Sequence, residues 1–229
     1  MKRHWPETIR WTWCLAATAI FMLGGCGLWQ SKTPEVAGKA WLNNAKPAGG
    51  FYLASDGAVL PINYPEPNGQ WTMKKDTLTI SDANGQARDY QLASPADKPE
   101  LTGNGQIYRE TPVSGAILDI EWEPVYLDGQ HDIVKPAMPE VTLIFNSATG
   151  RFSGCGGVNR LFGDFTLTAP DRIRIERINS TRMAGPGARY EGLFLSRLIH
   201  AERYLVVDGN LQLYNDANQL LISFQPNVN

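Results

Sequence analysis

Cys155 is the first residue to weigh for chemistry, because it lies among glycines in the run Gly154-Cys155-Gly156-Gly157. A thiol in such a turn could act as a nucleophile or redox centre if a nearby base lowered its pKa. After residue 25 the chain has two histidines, His131 and His200, neither close to Cys155 in sequence, although His200 could approach it in space. The preferred alternative is a small thiol packed beneath a sheet, with the glycines serving backbone geometry. The two histidines are far apart and have no cysteine near them, so ordinary zinc or copper spacing is missing. No metal or other cofactor is expected. Neither Gly-x-Ser-x-Gly nor His-Glu-x-x-His occurs, so a hydrolase would have to assemble its triad without a local motif.

Cys26 carries a different chemistry. Lys2, Arg3 and Arg10 against Glu7 give a positive start, and Trp11 to Leu23 is apolar apart from two threonines. Leu23-Gly24-Gly25 then leads into Cys26. This is signal-peptide anatomy, and the apolar run is too short to span a bilayer as a helix. An amphipathic core helix is a poor alternative, because Trp11, Trp13, Leu15, Ile20, Phe21 and Met22 leave no polar face. The Leu-Gly-Gly-Cys ending resembles the lipobox of bacterial lipoproteins, which implies cleavage before Cys26 and acylation there. Several acyl chains on one residue hold firmly, whereas one holds only marginally. Gly27 is not the aspartate associated with inner-membrane retention, so the resemblance implies an outer-membrane anchor on the periplasmic face.

Cleavage would leave 204 of the 229 residues, and three basic and one acidic residue would depart, leaving 18 Lys plus Arg against 22 Asp plus Glu. A mildly acidic chain without a basic run argues against nucleic acid as a partner. Cys14 would leave with the signal and Cys26 would carry lipid, so Cys155 has no intrachain partner, even in a compartment that permits disulfides. Stability must come from apolar cores.

The elements that would position these residues are mostly short strands. Gly50 to Leu53, Ala58 to Leu60, Gly69 to Met73, Thr77 to Ile80 and Arg88 to Leu92 are separated by Asp/Asn/Gly turns, which predicts an antiparallel meander. Ser94 to Asn104 reads as a loop or weakly ordered connector. A second unit begins near Val113, with a strand expected over Ala116 to Trp122, loop from Pro124 to Pro139, and strands at Val141 to Phe145, Gly163 to Leu167 and Arg172 to Ile175. One helix follows: Tyr190, Phe194, Leu198 and Ala201 share a face, with Ser196, His200 and Arg203 opposite. Three strands complete the set, at Tyr204 to Val207, Leu211 to Tyr214 and Leu220 to Phe224. Together these predict an α+β, mainly antiparallel β fold, in which the helix covers a sheet face.

The stretch from Gly154 to Phe165, Gly-Cys-Gly-Gly-Val-Asn-Arg-Leu-Phe-Gly-Asp-Phe, resembles the META domain family of HslJ-like lipoproteins. That family has a Gly-Cys-Asn turn, a Gly-aromatic pair and a later Thr-x-Met-Ala-Cys. Thr181-Arg182-Met183-Ala184-Gly185 occupies the later motif, and Glu191, Phe194, Leu195 and Leu198 fit the family's helix. The resemblance covers about residues 113 to 225. It selects Gly154, Cys155, Asn159, Gly163, Thr181 and Met183 as motif positions. Gly156 stands where the family has asparagine, a place Asn159 could fill through a shifted loop; Gly185 replaces the second cysteine, which excludes a thiol pair. Residues 49 to 110 more faintly resemble the N-terminal domain of the copper-resistance lipoprotein NlpE, through Asp56-Gly57, Gly69-x-Trp71, Asp76-x-Leu78-x-Ile80 and Tyr90-x-Leu92. Its Cys-x-x-Cys has no counterpart, so a barrel-like shape is implied and copper binding is not.

The expected organisation is therefore a signal peptide at 1–25, a lipidated tether at 26–38, a small NlpE-like β-barrel unit at 39–110 and a META-like twisted sheet with one covering helix at 113–229. Arg172 and Arg174 share a strand face, and Arg151, Arg160 and Arg182 lie near motif residues; they form either a solvated face or a site for an anionic envelope component. Trp71 and Trp122 read as core anchors. The function expected is a non-enzymatic envelope stress-response or interaction module. Its partners would be the bilayer, through acylated Cys26, and an envelope protein or anionic component. Two rival readings are a thiol-dependent enzyme using Cys155 and a structural or chaperone-like envelope protein. Residues 113 to 229 contain their own helix and strands and are expected to fold alone. The anchor is checked by metabolic labelling: wild-type protein should take up labelled fatty acid and partition with membranes, and Cys26→Ala should do neither.

Overall fold

The computed structural model describes residues 36–46, 48–62, 68–94, 98–114, 116–131, 133, 135–136, 140–168 and 171–228. The expected signal peptide, Cys26 and the tether up to residue 35 lie outside the described residues. The first eight strands close an antiparallel barrel: β1 (Lys39–Leu42), β2 (Gly50–Leu53), β3 (Ala58–Ile62), β4 (Gly69–Lys74), β5 (Thr77–Asp82), β6 (Ala87–Ala93), β7 (Glu100–Gly103) and β8 (Gln106–Thr111). Trp41, Phe51, Leu53, Leu78, Ile80, Tyr90, Leu101 and Tyr108 fill its interior. The stretch read as a connector contains β7, and the missed signal was Asn104-Gly105. Both residues adopt positive φ, 51° and 71°, the demand of a tight hairpin turn whose twist matches the flanking strands. β7 and β8 therefore pair directly, with Leu101 opposite Tyr108.

The second unit is a nine-stranded antiparallel sheet. It comprises β9 (Val113–Ser114), β10 (Glu121–Leu127), β11 (Thr142–Asn146), β12 (Arg151–Cys155), β13 (Arg160–Thr168), β14 (Arg172–Ser180), β15 (Arg203–Val207), β16 (Asn210–Tyr214) and β17 (Leu220–Pro226), in the order β14-β13-β12-β11-β10-β17-β16-β15-β9. One further pairing, Arg172 with Arg203, joins β14 to β15 and rolls the sheet almost closed. Helix α1 (Ala188–Ile199) buries Tyr190, Phe194 and Leu198 in the core that the sheet encloses with Trp122, Leu143, Phe152, Ile175 and Phe224. The strand expected over 116–122 is broken by Asp119 at φ 58°. β10 instead starts at Glu121 and runs through Pro124, which sits at a register shift where a proline does not interrupt the ladder.

Burial pattern separates two kinds of strand. β5 to β8 bury one side only, through Leu78, Ile80, Tyr90, Leu92, Leu101 and Tyr108, and their other residues are partly or fully exposed, as in a half-covered sheet. By contrast β2, β3 and β15 are buried at every position, and β16 at all but its first. Their second faces meet each other. Ala40, Leu42, Tyr52, Ala54, Ala58, Leu60 and Ile62 of the barrel form a third core with Leu205, Val207 and Tyr214 of the sheet, and the Tyr214 hydroxyl donates to the Pro61 carbonyl at 2.9 Å.

Beside this core stands a group of charges. Arg203, expected on the polar face of the helix, is instead the first residue of β15 and 3% exposed. The helix ends at Ile199, so the chain has already turned into the sheet. The Arg203 guanidinium donates to Asp171 at 3.2 Å and, through its other terminal nitrogen, to Asp56 in the β2–β3 turn of the barrel. Arg172 approaches Asp56 at 3.6 Å. Burial pushes the Asp56 carboxyl up, but the Ala58 N–H, the Arg203 hydrogen bond and the two arginine charges outweigh it and leave the group below its ordinary value of 3.8.

These contacts give two expectations. A fragment of residues 113 to 229 would expose Leu205, Val207 and Tyr214 and strip Arg203 of Asp56. Each fully buried aliphatic side chain is worth about 1.5–3 kcal/mol, so contrary to the reading from sequence the fragment should aggregate or melt well below the whole chain. Asp56 binds a proton less readily folded than unfolded, so its contribution is present above its unfolded value and lost as pH falls through the folded one. Acid titration of Asp56→Asn should show a smaller loss of stability below about pH 4 than wild type does; equal losses would show that Asp56 is not the linked group.

Candidate functional site

The motif residues gather where the β12–β13 hairpin meets the start of α1. The four-residue connection, Gly156 to Asn159, is closed by the Gly156 N–H donating to the Asn159 carbonyl at 2.9 Å. Glu191, in the first turn of α1 and 6% exposed, reaches into this loop. One carboxylate oxygen accepts from the Val158 and Asn159 backbone N–H groups at 3.1 and 2.7 Å, and the other from the Asn159 side-chain amide at 2.7 Å. The same amide donates to the Met183 carbonyl at 3.2 Å. The Asn159 side-chain oxygen, Oδ1, accepts from the Thr181 hydroxyl at 2.9 Å and the Met183 N–H at 2.7 Å. Thr181 in turn accepts from the Arg160 N–H at 3.2 Å and donates its own N–H to the Arg160 carbonyl at 3.1 Å.

Asn159 and Glu191 thus clasp three segments: the hairpin loop, the strand extension at 181–183 and the helix. A side-chain amide suits the task because it offers donors and an acceptor at once. The glycines make room for it. A Cβ on Gly156 would lie 2.5 Å from the Glu191 Cγ, and one on Gly154 2.1 Å from the Thr142 carbonyl oxygen. Gly157 has φ +106°, and a Cβ there would lie 2.4 Å from Pro136. Gly163, farther along β13, leaves space for the Phe152 ring, which a Cβ would approach to 2.5 Å. Sequence reasoning fitted Glu191 to a helix pattern and missed its role; a glutamate on the apolar face beside Tyr190 and Phe194 was the available signal. Tyr190 packs as a neutral group, its phenol pushed up to about 12 by burial and then by the Glu123 charge.

Cys155 departs from expectation. It belongs to none of the three cores, is only partly buried, and alternates onto the face that carries the exposed Arg151 and Ser153. Strand register, not burial, decides this, since Phe152 takes the inward side. Its sulfur accepts the Gly157 N–H at 3.4 Å, and its neighbours across the ladder are Thr142 and Arg160. His200 does not come to it. That ring caps the far end of α1, bonded to the Ser196 carbonyl at 2.7 Å, roughly 13 Å along the helix axis from Glu191. Among the described residues no group of His, Cys, Asp and Glu has the arrangement of a metal site.

In comparisons with known proteins, residues 116–227 match the family model of the META domain. No curated protein and no solved structure shows a significant match. Asn159→Ala should leave the Glu191 carboxylate and both Met183 backbone groups short of partners and cost about 2–4 kcal/mol in denaturant unfolding. Gly156→Ala should be comparably damaging through its clash with Glu191. Cys155→Ala and Cys155→Ser, on the outer face, should each change stability by less than about 1 kcal/mol.

Proposed function

With residues 116–227 a META domain, we propose that this protein is a membrane-anchored periplasmic lipoprotein acting as a non-enzymatic interaction module in the envelope stress response. The observation that carries the reading is the clasp. Asn159, Thr181, Met183 and Glu191 satisfy one another's polar groups and so set the shape of the domain. The sheet face beside it is held on a rigid frame, a surface suited to contact. The lipobox resemblance at Cys26 supports the anchor, and the turn and strand texture of the barrel supports kinship with envelope lipoproteins.

One observation keeps the thiol-enzyme reading as the second. Cys155 is partly exposed and has an arginine opposite it on the neighbouring strand. Crosslinking in intact cells tests the main reading: wild type should capture specific envelope components, and Cys26→Ala should lose them. Survival under envelope stress tests the rival. Cys155→Ser should support survival as wild type does; loss of survival with folding unchanged would favour the enzyme.

A further inference from the structure

The arginines of the META domain divide into two sets. Six are ion-paired within the molecule: Arg151 with Asp164 at 3.5 Å, Arg172 with Asp56 at 3.6 Å, Arg174 with Glu176 at 3.5 Å, Arg177 with Asp164, Arg197 with Asp128 at 3.1 Å, and Arg203 with Asp171 at 3.2 Å. Lys135 is likewise held by Glu123. Arg160, Arg182 and Arg189 have no ion-pair partner among the described residues, and all three are exposed. Each lies within two residues of a clasp residue in sequence. Arg160 follows Asn159, Arg182 stands between Thr181 and Met183, and Arg189 is two residues before Glu191. In the segments 156–162 and 179–192 the sole acidic residue is Glu191, and it is buried.

Exposed apolar side chains mark the same end. Phe162 is 40% and Met183 59% exposed. Phe162 shares a strand face with Arg160, and its ladder neighbours Ser153 and Asn179 are small, polar and exposed, so the ring stands proud of the sheet. Met183 is pinned at its backbone N–H and carbonyl by Asn159, which fixes where its free side chain emerges.

We propose that this end of the META domain docks on an anionic lipid surface. Apolar tips flanked by guanidinium groups suit such a surface: the tips enter the headgroup boundary while the arginines bond phosphate oxygens in forked geometry. The inference rests on the reading of the chain as membrane-tethered, because a tether keeps the body within reach of a bilayer and makes a weak contact effective.

The test uses the unacylated chain from Gly27 onward, which holds the whole described body, with vesicles of phosphatidylcholine alone or mixed with phosphatidylglycerol. Co-sedimentation is expected only with the anionic vesicles and should weaken as salt rises. The triple variant R160Q, R182Q and R189Q should lose roughly fivefold in binding for each arginine removed, and Phe162→Ser with Met183→Ser should also bind more weakly. Arg174→Gln, which removes an internally paired arginine, should bind as wild type. Circular dichroism melts confirm that each variant is folded. No binding to anionic vesicles, binding that the triple variant retains, or capture of an acidic protein without vesicle binding would each overturn the proposal. Acylation is read separately by fatty-acid labelling of the full chain, so a failed anchor and a failed docking surface give different results.

Discussion

A strand that is apolar on both faces needs two covers, and this requirement organises the protein. β2 and β3 of the barrel and β15 and β16 of the sheet each bury one face in their own unit's core. Their outer faces are largely apolar too, so neither unit can present them to water without exposing aliphatic and aromatic surface. The units resolve the problem by covering each other. The packing then fixes where the charges go: Arg203 shares a strand face with Leu205 and Val207, so it is buried by the same contact and must meet its partners there. A buried cation that lost one of them would be costly. Asp56 and Asp171, one from each unit, therefore turn a general apolar contact into a specific register.

The clasp solves a different problem. A hairpin loop rich in glycine loses much conformational freedom on folding, and it must be held against a helix that arrives from elsewhere in the chain. The two polar side chains do this from a site shielded from water, where hydrogen bonds gain in strength and unpaired groups are penalised. The glycines and the two polar residues are one device, since a methyl group at Gly156 would occupy the space of the Glu191 side chain.

How much of this was legible depended on whether the cause was local. The β5–β6 meander, the helix from Tyr190 to Leu198 and the Asp208-Gly209 turn follow from period and turn chemistry, which a short window contains. Asn104-Gly105 was equally local and went unread, and β7 with it. Apolar runs such as Gly50 to Leu53 and Tyr204 to Val207 read as strands, but nothing in them named the surface that covers their second face, which lies some 150 residues away. The motif pointed to Asn159 and Thr181. Its physical content, a carboxylate from Glu191 holding a loop 32 residues earlier, required the fold. Cys155 was misplaced because a single alternation step decides which face a strand residue takes, and its glycine neighbours give no such signal.

Pro112 alone separates β8 from β9, and β9 is already paired to β15 at Val206 and Val207. The junction has no slack, and the proline ring removes one of its few rotations. Bending one unit on the other would have to part the third core, the β9 pairing and the Asp56 bridge together. The barrel and the sheet are therefore held as one body. Whatever meets the exposed face of β13 is held at a constant offset and angle from Val36, where the described chain begins.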